Sequence, residues 1–289
     1  MRFAALGDSV TVGLGDPQPC GGWRGWATYL ADSLTVPAEG SGRVELTNLA
    51  SCGALVRDVA AEQLPRALSV RPALASVLVG VNDTLRGRFD LDMIAADLEE
   101  IVVRLRHVGA FVLTAGLPDP GLMLKLPELL RRPLSRRVRA VNSILDDLAR
   151  RHGTVHIDLT VRPAVYDRRM WGIDPLHPSE RGHRLLARVF ATELAERGVP
   201  LAALPDPEPT NPPPTAAART YWMATKGTKW LFKRSYDLLP QLIQMAMAEW
   251  WHEVRGGTAM RDALVRAEVE DALRGLPADP PGILDRVGD

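Results

Sequence analysis

The chain has 289 residues, 46% of them hydrophobic, with 35 Lys+Arg set against 35 Asp+Glu. That length supports a sizeable core in one α/β domain with an appendage, and the balanced charge leaves no global field to attract nucleic acid or an anionic membrane. Two cysteines, Cys20 and Cys52, exclude a disulfide framework and read as free thiols, and no run of about 18 apolar residues is present to cross a membrane.

The first predicted element starts almost at Met1, where Phe3-Ala4-Ala5-Leu6 is a short apolar run closed by Gly7 and Asp8, the pattern of a buried parallel strand. With no charged and apolar leader ahead of it, the sequence predicts a cytoplasmic protein. Open α/β sheets place their chemistry just beyond the carboxyl ends of strands, which is where Ser9 falls. Gly, Asp and Ser are also ordinary turn and cap residues, so the tripeptide alone reads first as a turn.

Residues 10–22 form a Gly- and Pro-rich loop, and Trp23, Trp26, Ala27 and Leu30 then repeat at helical spacing up to Leu34. Residues 44–49 alternate like a strand and run into Ala50-Ser51-Cys52-Gly53, followed by a short helix to about Leu68. Residues 73–79 have the pattern of a buried strand and end at Gly80-Val81-Asn82-Asp83. A helix over 90–107 carries Leu91, Ile94, Leu98, Ile101 and Leu105 on one face, stops at Gly109 and leads into a strand at 110–115. Residues 116–133 read as a long loop whose Leu122, Met123, Leu124, Leu126, Leu129 and Leu130 would wall an acyl pocket or pack down on the core. A helix over 135–152 repeats the apolar stripe through Val138, Val141, Leu145 and Leu148 and passes by Gly153 to a strand at 154–159. The last core helix is expected over 179–197, with Leu185, Leu186, Val189, Phe190 and Leu194 inward.

Five strands alternating with helices predict an α/β fold, a three-layer α/β/α sandwich on a parallel sheet. The Pro-rich stretch 200–218 reads as a linker that ends a domain of residues 1–199, leaving 219–289 as a mainly helical extension. There Lys226, Lys229 and Lys233 interleave with Tyr221, Trp222, Trp230 and Phe232, and Leu239, Ile243, Ala246, Trp250 and Val254 form an apolar helical stripe. Residues 219–254 therefore offer a peripheral membrane or self-association surface, docking on the rest of the chain being the plainer use. A short charged helix to about Leu273 and a frayed end complete the chain.

A serine hydroxyl becomes a nucleophile only when a histidine takes its proton and a third group orients that histidine. Asp174-Pro175-Leu176-His177-Pro178, between the fifth strand and the last core helix, has the right composition. The three-residue spacing on a Pro-braced loop lets Asp174 accept the Nδ1 proton of His177 while Nε2 faces the serine. Read alone, the same stretch is a turn with Ser179 capping a helix. His152 and His156 are separated by Gly153 and a strand-like Thr154-Val155, so they would not share a helix face as zinc ligands do, and His183 reads as structural. No phosphate or dinucleotide fingerprint stands in a strand-turn-helix context, so neither cofactor nor metal is expected.

Together, Gly7-Asp8-Ser9, Asn48 with Gly53, Gly80-Val81-Asn82-Asp83 and Asp174-x-x-His177 resemble the four blocks of the SGNH/GDSL hydrolases, in that family's order, over about residues 1–198. The resemblance implies a flavodoxin-like five-stranded sheet, with Ser9 as nucleophile, His177 as base and Asp174 as its orienter. It also implies an oxyanion hole made by the backbone N–H groups of Ser9 and Gly53 and the side-chain amide of Asn82. The implied activity is that of a serine esterase or lipase acting on a small-molecule ester through an acyl-enzyme, without cofactor or metal. Acyl transfer to an alcohol and carbohydrate O-deacetylation are alternatives on the same scaffold, and a membrane-surface or protein-interaction role through the C-terminal extension is the alternative from a different class. The Gly-x-Ser-x-Gly elbow of the other large α/β hydrolase class is absent around Ser9.

Overall fold

The computed structural model describes residues 1–19, 21–34, 43–174, 176–212 and 243–277, with isolated positions between 215 and 224. Cys20, Leu239, the end of the chain from 278 and most of the basic aromatic stretch at 219–234 lie outside the described residues.

Five parallel strands, β1 (Arg2–Gly7), β2 (Glu45–Asn48), β3 (Leu74–Leu78), β4 (Phe111–Gly116) and β5 (Val155–Asp158), form one sheet in the order β2-β1-β3-β4-β5. Parallel neighbours need crossovers, and these place helices on both faces, which is why the inner strands are apolar throughout rather than alternating. Phe3 and Ala5 of β1 join Leu113, Ala115, Val155 and Ile157 on one face, while Ala4 and Leu6 join Ala75, Val77 and Val112 on the other. The period of two along each strand thus feeds two separate cores from one short run.

The helices follow in chain order. A single turn, α1 (Ser9–Val12), leaves β1, and α2 (Gly25–Ser33) returns towards β2. Between β2 and β3 run α3 (Val56–Asp58), a π turn (Val59–Gln63) and α4 (Leu64–Ser69). A second single turn, α5 (Val81–Thr84), and the long α6 (Leu91–His107) precede β4. Next come α7 (Pro120–Met123), α8 (Glu128–His152) and, after β5, α9 (Glu180–Glu196). On the Phe3 face, α2 and α9 pack together, and Trp26 lies between Phe3 and Phe190 with ring centroids 6.4 and 5.2 Å away. On the opposite face, Leu98, Ile101 and Leu105 of α6 and Val141, Ile144 and Leu148 of α8 are buried against the sheet, each worth roughly 1.5–3 kcal/mol of apolar burial.

The long helix α8 departs from the expected loop over 116–133: it begins at Glu128 and contains Pro133. A proline within a helix removes one backbone hydrogen bond. Pro133 stands early in the helix, and Leu134, Ser135 and Arg136 directly after it are buried, so packing outweighs the lost bond. Glu128 supports the first turn through Arg132 at 2.8 Å and through Arg131, with its negative charge at the favourable end of the helix dipole.

Beyond α9 the chain is pinned back on the core. Leu201 bridges to Leu34, and the backbone N–H groups of Thr210 and Asn211 donate to the buried Glu180 carboxylate at 2.7 and 2.9 Å. Two further helices, α10 (residues 243–254) and α11 (Thr258–Gly275), follow. Val269 and Ala272 of α11 are buried with Leu98 and Val141, so the charged helix expected there completes the core over α6 and α8. In α10 the apolar stripe at Ile243, Trp250 and Val254 is exposed, and the buried residue is Glu249. It accepts two hydrogen bonds from Arg136 of α8, at 2.9 and 3.1 Å, while the Arg136 Nε donates to Asp262 at 2.6 Å. Among the described residues, no helix is long and apolar enough to cross a membrane.

Candidate active site

The site begins where β1 stops. Gly7 has φ +148°, and a Cβ there would come within 2.2 Å of the Leu78 carbonyl oxygen of β3. Only glycine lets the two strand ends approach this closely. Gln63, buried beneath the turn, grips both sides of Gly7: its Oε1 accepts from the Gly7 N–H at 2.8 Å, and its Nε2 donates to the Gly7 carbonyl at 2.9 Å. Asp8 then caps α1, accepting from the Val10 N–H at 3.0 Å, and Asn48 at the end of β2 donates to the Thr11 carbonyl at 2.7 Å. Ser9 is thereby presented as the first residue of a short, tethered helix. Sequence reasoning missed Gln63; its signal is a lone amide among the buried Val59, Leu64 and Ala67.

The second half of the site is the loop between β5 and α9. The Nε2 of His177 lies 2.9 Å from the Ser9 Oγ, and its Nδ1 lies 3.0 Å from both carboxylate oxygens of Asp174. The Asp174 Oδ1 also accepts from the backbone N–H groups of Leu176 and His177, at 3.0 and 2.8 Å. Burial works to raise the Asp174 carboxyl, but its bonds to the His177 side chain and to these two N–H groups prevail and hold it below its ordinary value. The loop is braced from outside by the Gly172 N–H donating to the His177 carbonyl at 2.8 Å and the Ser179 N–H donating to the Met170 carbonyl at 2.8 Å.

His183 belongs to the scaffold rather than to this chain of bonds. It is fully buried, accepts from the Trp26 N–H at 3.3 Å and donates to the Leu14 carbonyl at 2.9 Å, joining α2, α9 and the loop after α1. Burial pushes its imidazole down to about 4, so it stays neutral. His152 pairs with Glu99 at 3.0 Å, whereas His156 meets Thr114 at 2.9 Å and Asp146 at 3.1 Å, so the two histidines share no ligand position. Among the described residues no group of three or more His, Cys, Asp or Glu side chains is placed to hold a metal ion.

Gly53 and Asn82 stand beside Ser9 at the ends of β2 and β3, and all three line one cavity. Gly53 is left-handed at φ +80°. No hydrogen bond within the described residues uses the N–H of Ser9 or of Gly53. The Asn82 Nδ2 donates to the Ala54 carbonyl at 3.1 Å and, over a longer 3.4 Å, to Asp8. Two carboxyls are buried under these donors. Burial raises Asp8 to about 6 and Asp83 to about 7, although Val10 and Val56 N–H groups work to lower them.

Asp83 gives a prediction on stability. Its carboxyl ionises near its ordinary 3.8 in the unfolded chain and near 7 in the folded one, so between those values the folded state binds more protons. The stability it contributes is complete below pH 3.8 and is lost as pH rises through about 7. Asp83→Asn keeps an oxygen for the Val56 N–H and has nothing to ionise. It is expected to stabilise the protein at pH 8, by on the order of 4 kcal/mol at most, and to confer no such gain at pH 4. Thermal unfolding of both proteins at the two pH values checks this, and an equal difference at both would refute it.

The cavity against Ser9 has a volume of about 240 Å³. Its walls come from Leu117, Pro120 and Met123 after β4, Val165, Met170 and Trp171 before the His177 loop, and Leu185, Leu186 and Val189 of α9. The stretch read as a loop therefore does contribute to a pocket wall, through Pro120 and Met123, while Leu122 is exposed.

A doubly wound sheet with a serine after its first strand and an Asp-x-x-His loop before its last core helix is the plan of an ester-bond hydrolase of the SGNH type. The chain belongs to the GDSL-like Lipase/Acylhydrolase family, whose model matches residues 5–185. It is similar to an acetylxylan esterase of Geobacillus stearothermophilus, 25% identical over 214 residues that cover 67% of this chain and 93% of the relative. Among solved structures it is similar to a variant of Axe2, an acetyl-xylooligosaccharide esterase of the same genus, with TM-score 0.52 and 20% identity over 67% of this chain and 93% of the other. It is equally similar to LAE5, an α/β hydrolase from the metagenome of Lake Arreo, with TM-score 0.52, 20% identity and coverage of 67% and 94%. These structural likenesses bear on the fold.

Proposed function

We propose that this ester hydrolase works as a serine esterase in which Ser9 is the nucleophile, His177 the general base and Asp174 the group that orients it. The observation that carries the reading is the unbroken run from Ser9 Oγ to His177 Nε2 at 2.9 Å and from His177 Nδ1 to the Asp174 carboxylate at 3.0 Å. Attack by Oγ on an ester carbonyl passes the serine proton to Nε2, and Asp174 stabilises the imidazolium that forms. The same proton then leaves with the alcohol, and water repeats the sequence on the acyl-enzyme to free the acid. The oxyanion of each tetrahedral intermediate is received by the N–H groups of Ser9 and Gly53 and by the Asn82 amide, whose long 3.4 Å bond to Asp8 is the one it gives up. No step draws on a cofactor.

The acetylxylan esterase relative supports a second reading, removal of acetyl groups from a carbohydrate by the same residues. The test common to both is Asn82→Ala. It should fold normally, since Asn82 is only partly buried, and lose about 10²–10³ in the rate of nitrophenyl ester hydrolysis. A folded variant with undiminished rate would remove Asn82 from the oxyanion hole, and a native chain that cleaves no carboxylic ester would overturn the esterase reading.

A further inference from the structure

We infer that the acyl group this site takes is a medium-length fatty acyl chain rather than acetyl. The inference rests on the esterase reading, since it names the acid half of the ester that Ser9 attacks. An acetyl group offers one methyl beyond the carbonyl, whereas the cavity against Ser9 is far larger. An apolar cavity of about 150 Å³ holds benzene, about 25 Å³ per carbon, so the 240 Å³ here, part of which the reacting ester group itself takes, has room for at most about ten acyl carbons.

The chemistry of the walls points the same way. Leu117, Met123, Val165, Leu186 and Val189 bring apolar surface from four separate segments, and Trp171 adds its ring. Several polar groups of those walls are already used. The Trp171 indole N–H donates to the Val165 carbonyl at 2.6 Å, while the N–H and carbonyl of Leu117 are both taken by the Asn142 side chain, at 2.7 and 3.0 Å. Hydroxyls of a sugar ring placed there would lose water and find few partners in return. Methylene groups lose nothing by the same transfer and gain its hydrophobic contribution. Beyond Asp8 and His177 next to Ser9, the charged side chains lining the cavity are Arg86 and Arg162.

The experiment is a series of nitrophenyl esters from acetate to dodecanoate, held below their aggregation limits, with kcat/KM measured for each on the full chain. The expected profile climbs from acetate by up to about fourfold per methylene, the equivalent of about 0.8 kcal/mol. It reaches an optimum at about six to ten carbons, at least tenfold above acetate, and falls beyond the length the cavity holds. Val189→Trp, which fills part of the cavity, should lower the octanoate-to-acetate ratio at least tenfold; if that variant does not fold, the native series decides alone. Hydrolysis that is fastest on acetate, or flat across the series, overturns the fatty-acyl assignment and leaves the esterase reading standing. Failure to cleave any ester in the series overturns both.

Discussion

Ser9→Ala is expected to lower ester hydrolysis by about four to six orders of magnitude while leaving the fold intact. The Ser9 side chain makes one hydrogen bond, to His177, and its backbone position is set by Asp8, Gln63 and Asn48 rather than by its own hydroxyl. Alanine also suits the first turn of a helix, so the cap at Asp8 survives. On the proposed reading, what disappears is the atom that forms the acyl-enzyme. The oxyanion donors remain, and triad knockouts in such sites retain about 10³–10⁴-fold catalysis over water from those donors and binding alone. A fluorophosphonate should add to Ser9 of the native chain, seen as a mass increase on the peptide that contains it, and should leave the variant unmodified. A folded Ser9→Ala protein that keeps native activity, or that still takes the label, would show that the nucleophile lies elsewhere.

The strands and the residues gathered at their ends were legible for one reason. A parallel strand is a short apolar run that must stop where chemistry begins, and Gly7, Gly53 and Gly80 mark three of those stops. Ser9 and Asn82 belong to local motifs that sit at such ends, and Asp174 and His177 to one just before the last core helix, so the order of motifs along the chain placed them near one another once the sheet was assumed. The order β2-β1-β3-β4-β5 is not legible in the elements themselves, because crossover lengths alone do not choose which side of β1 the chain returns to. Gln63 was harder to read for a different reason: a lone amide in an apolar run is its local sign, and its partners are the two backbone groups of Gly7, 56 residues away, which carry no signature. The start of α8 at Glu128 and the docking of α11 were hidden by long-range packing. Pro133 breaks a helix in isolation, and nothing local to Glu249 announces that Arg136 waits 113 residues upstream. Burial of that ion pair explains why the apolar stripe of α10 faces outward: the helix is held by its one buried acid, and removing either partner would strand a charge, at a cost of about 3–5 kcal/mol.

The second large effect is expected from Asp174→Asn, which should reduce kcat by about 10⁴ with little change in KM. The carboxylate does two jobs that the substitution separates. Its Oδ1 receives the backbone N–H groups of Leu176 and His177, which shape the loop, and an asparagine oxygen can keep both bonds. Its Oδ2, 3.0 Å from the His177 Nδ1, becomes an NH₂ group, and the equally close Oδ1 is already engaged by the two backbone N–H groups. Facing a donor, Nδ1 is held as an acceptor, and the ring proton moves to Nε2, the atom that must be bare to take the Ser9 proton. The negative charge that would balance an imidazolium is lost in the same step. Because the aspartate is held below its ordinary range, the native site carries this charge through the neutral region, and the variant lacks it at every pH. A loop that had merely loosened would weaken binding and raise KM as well, whereas a tautomer change removes an interaction made in the transition state and leaves KM in place. Steady-state kinetics on one nitrophenyl ester tell the two apart, and a variant within tenfold of the native kcat would mean that His177 does not depend on Asp174 for its orientation.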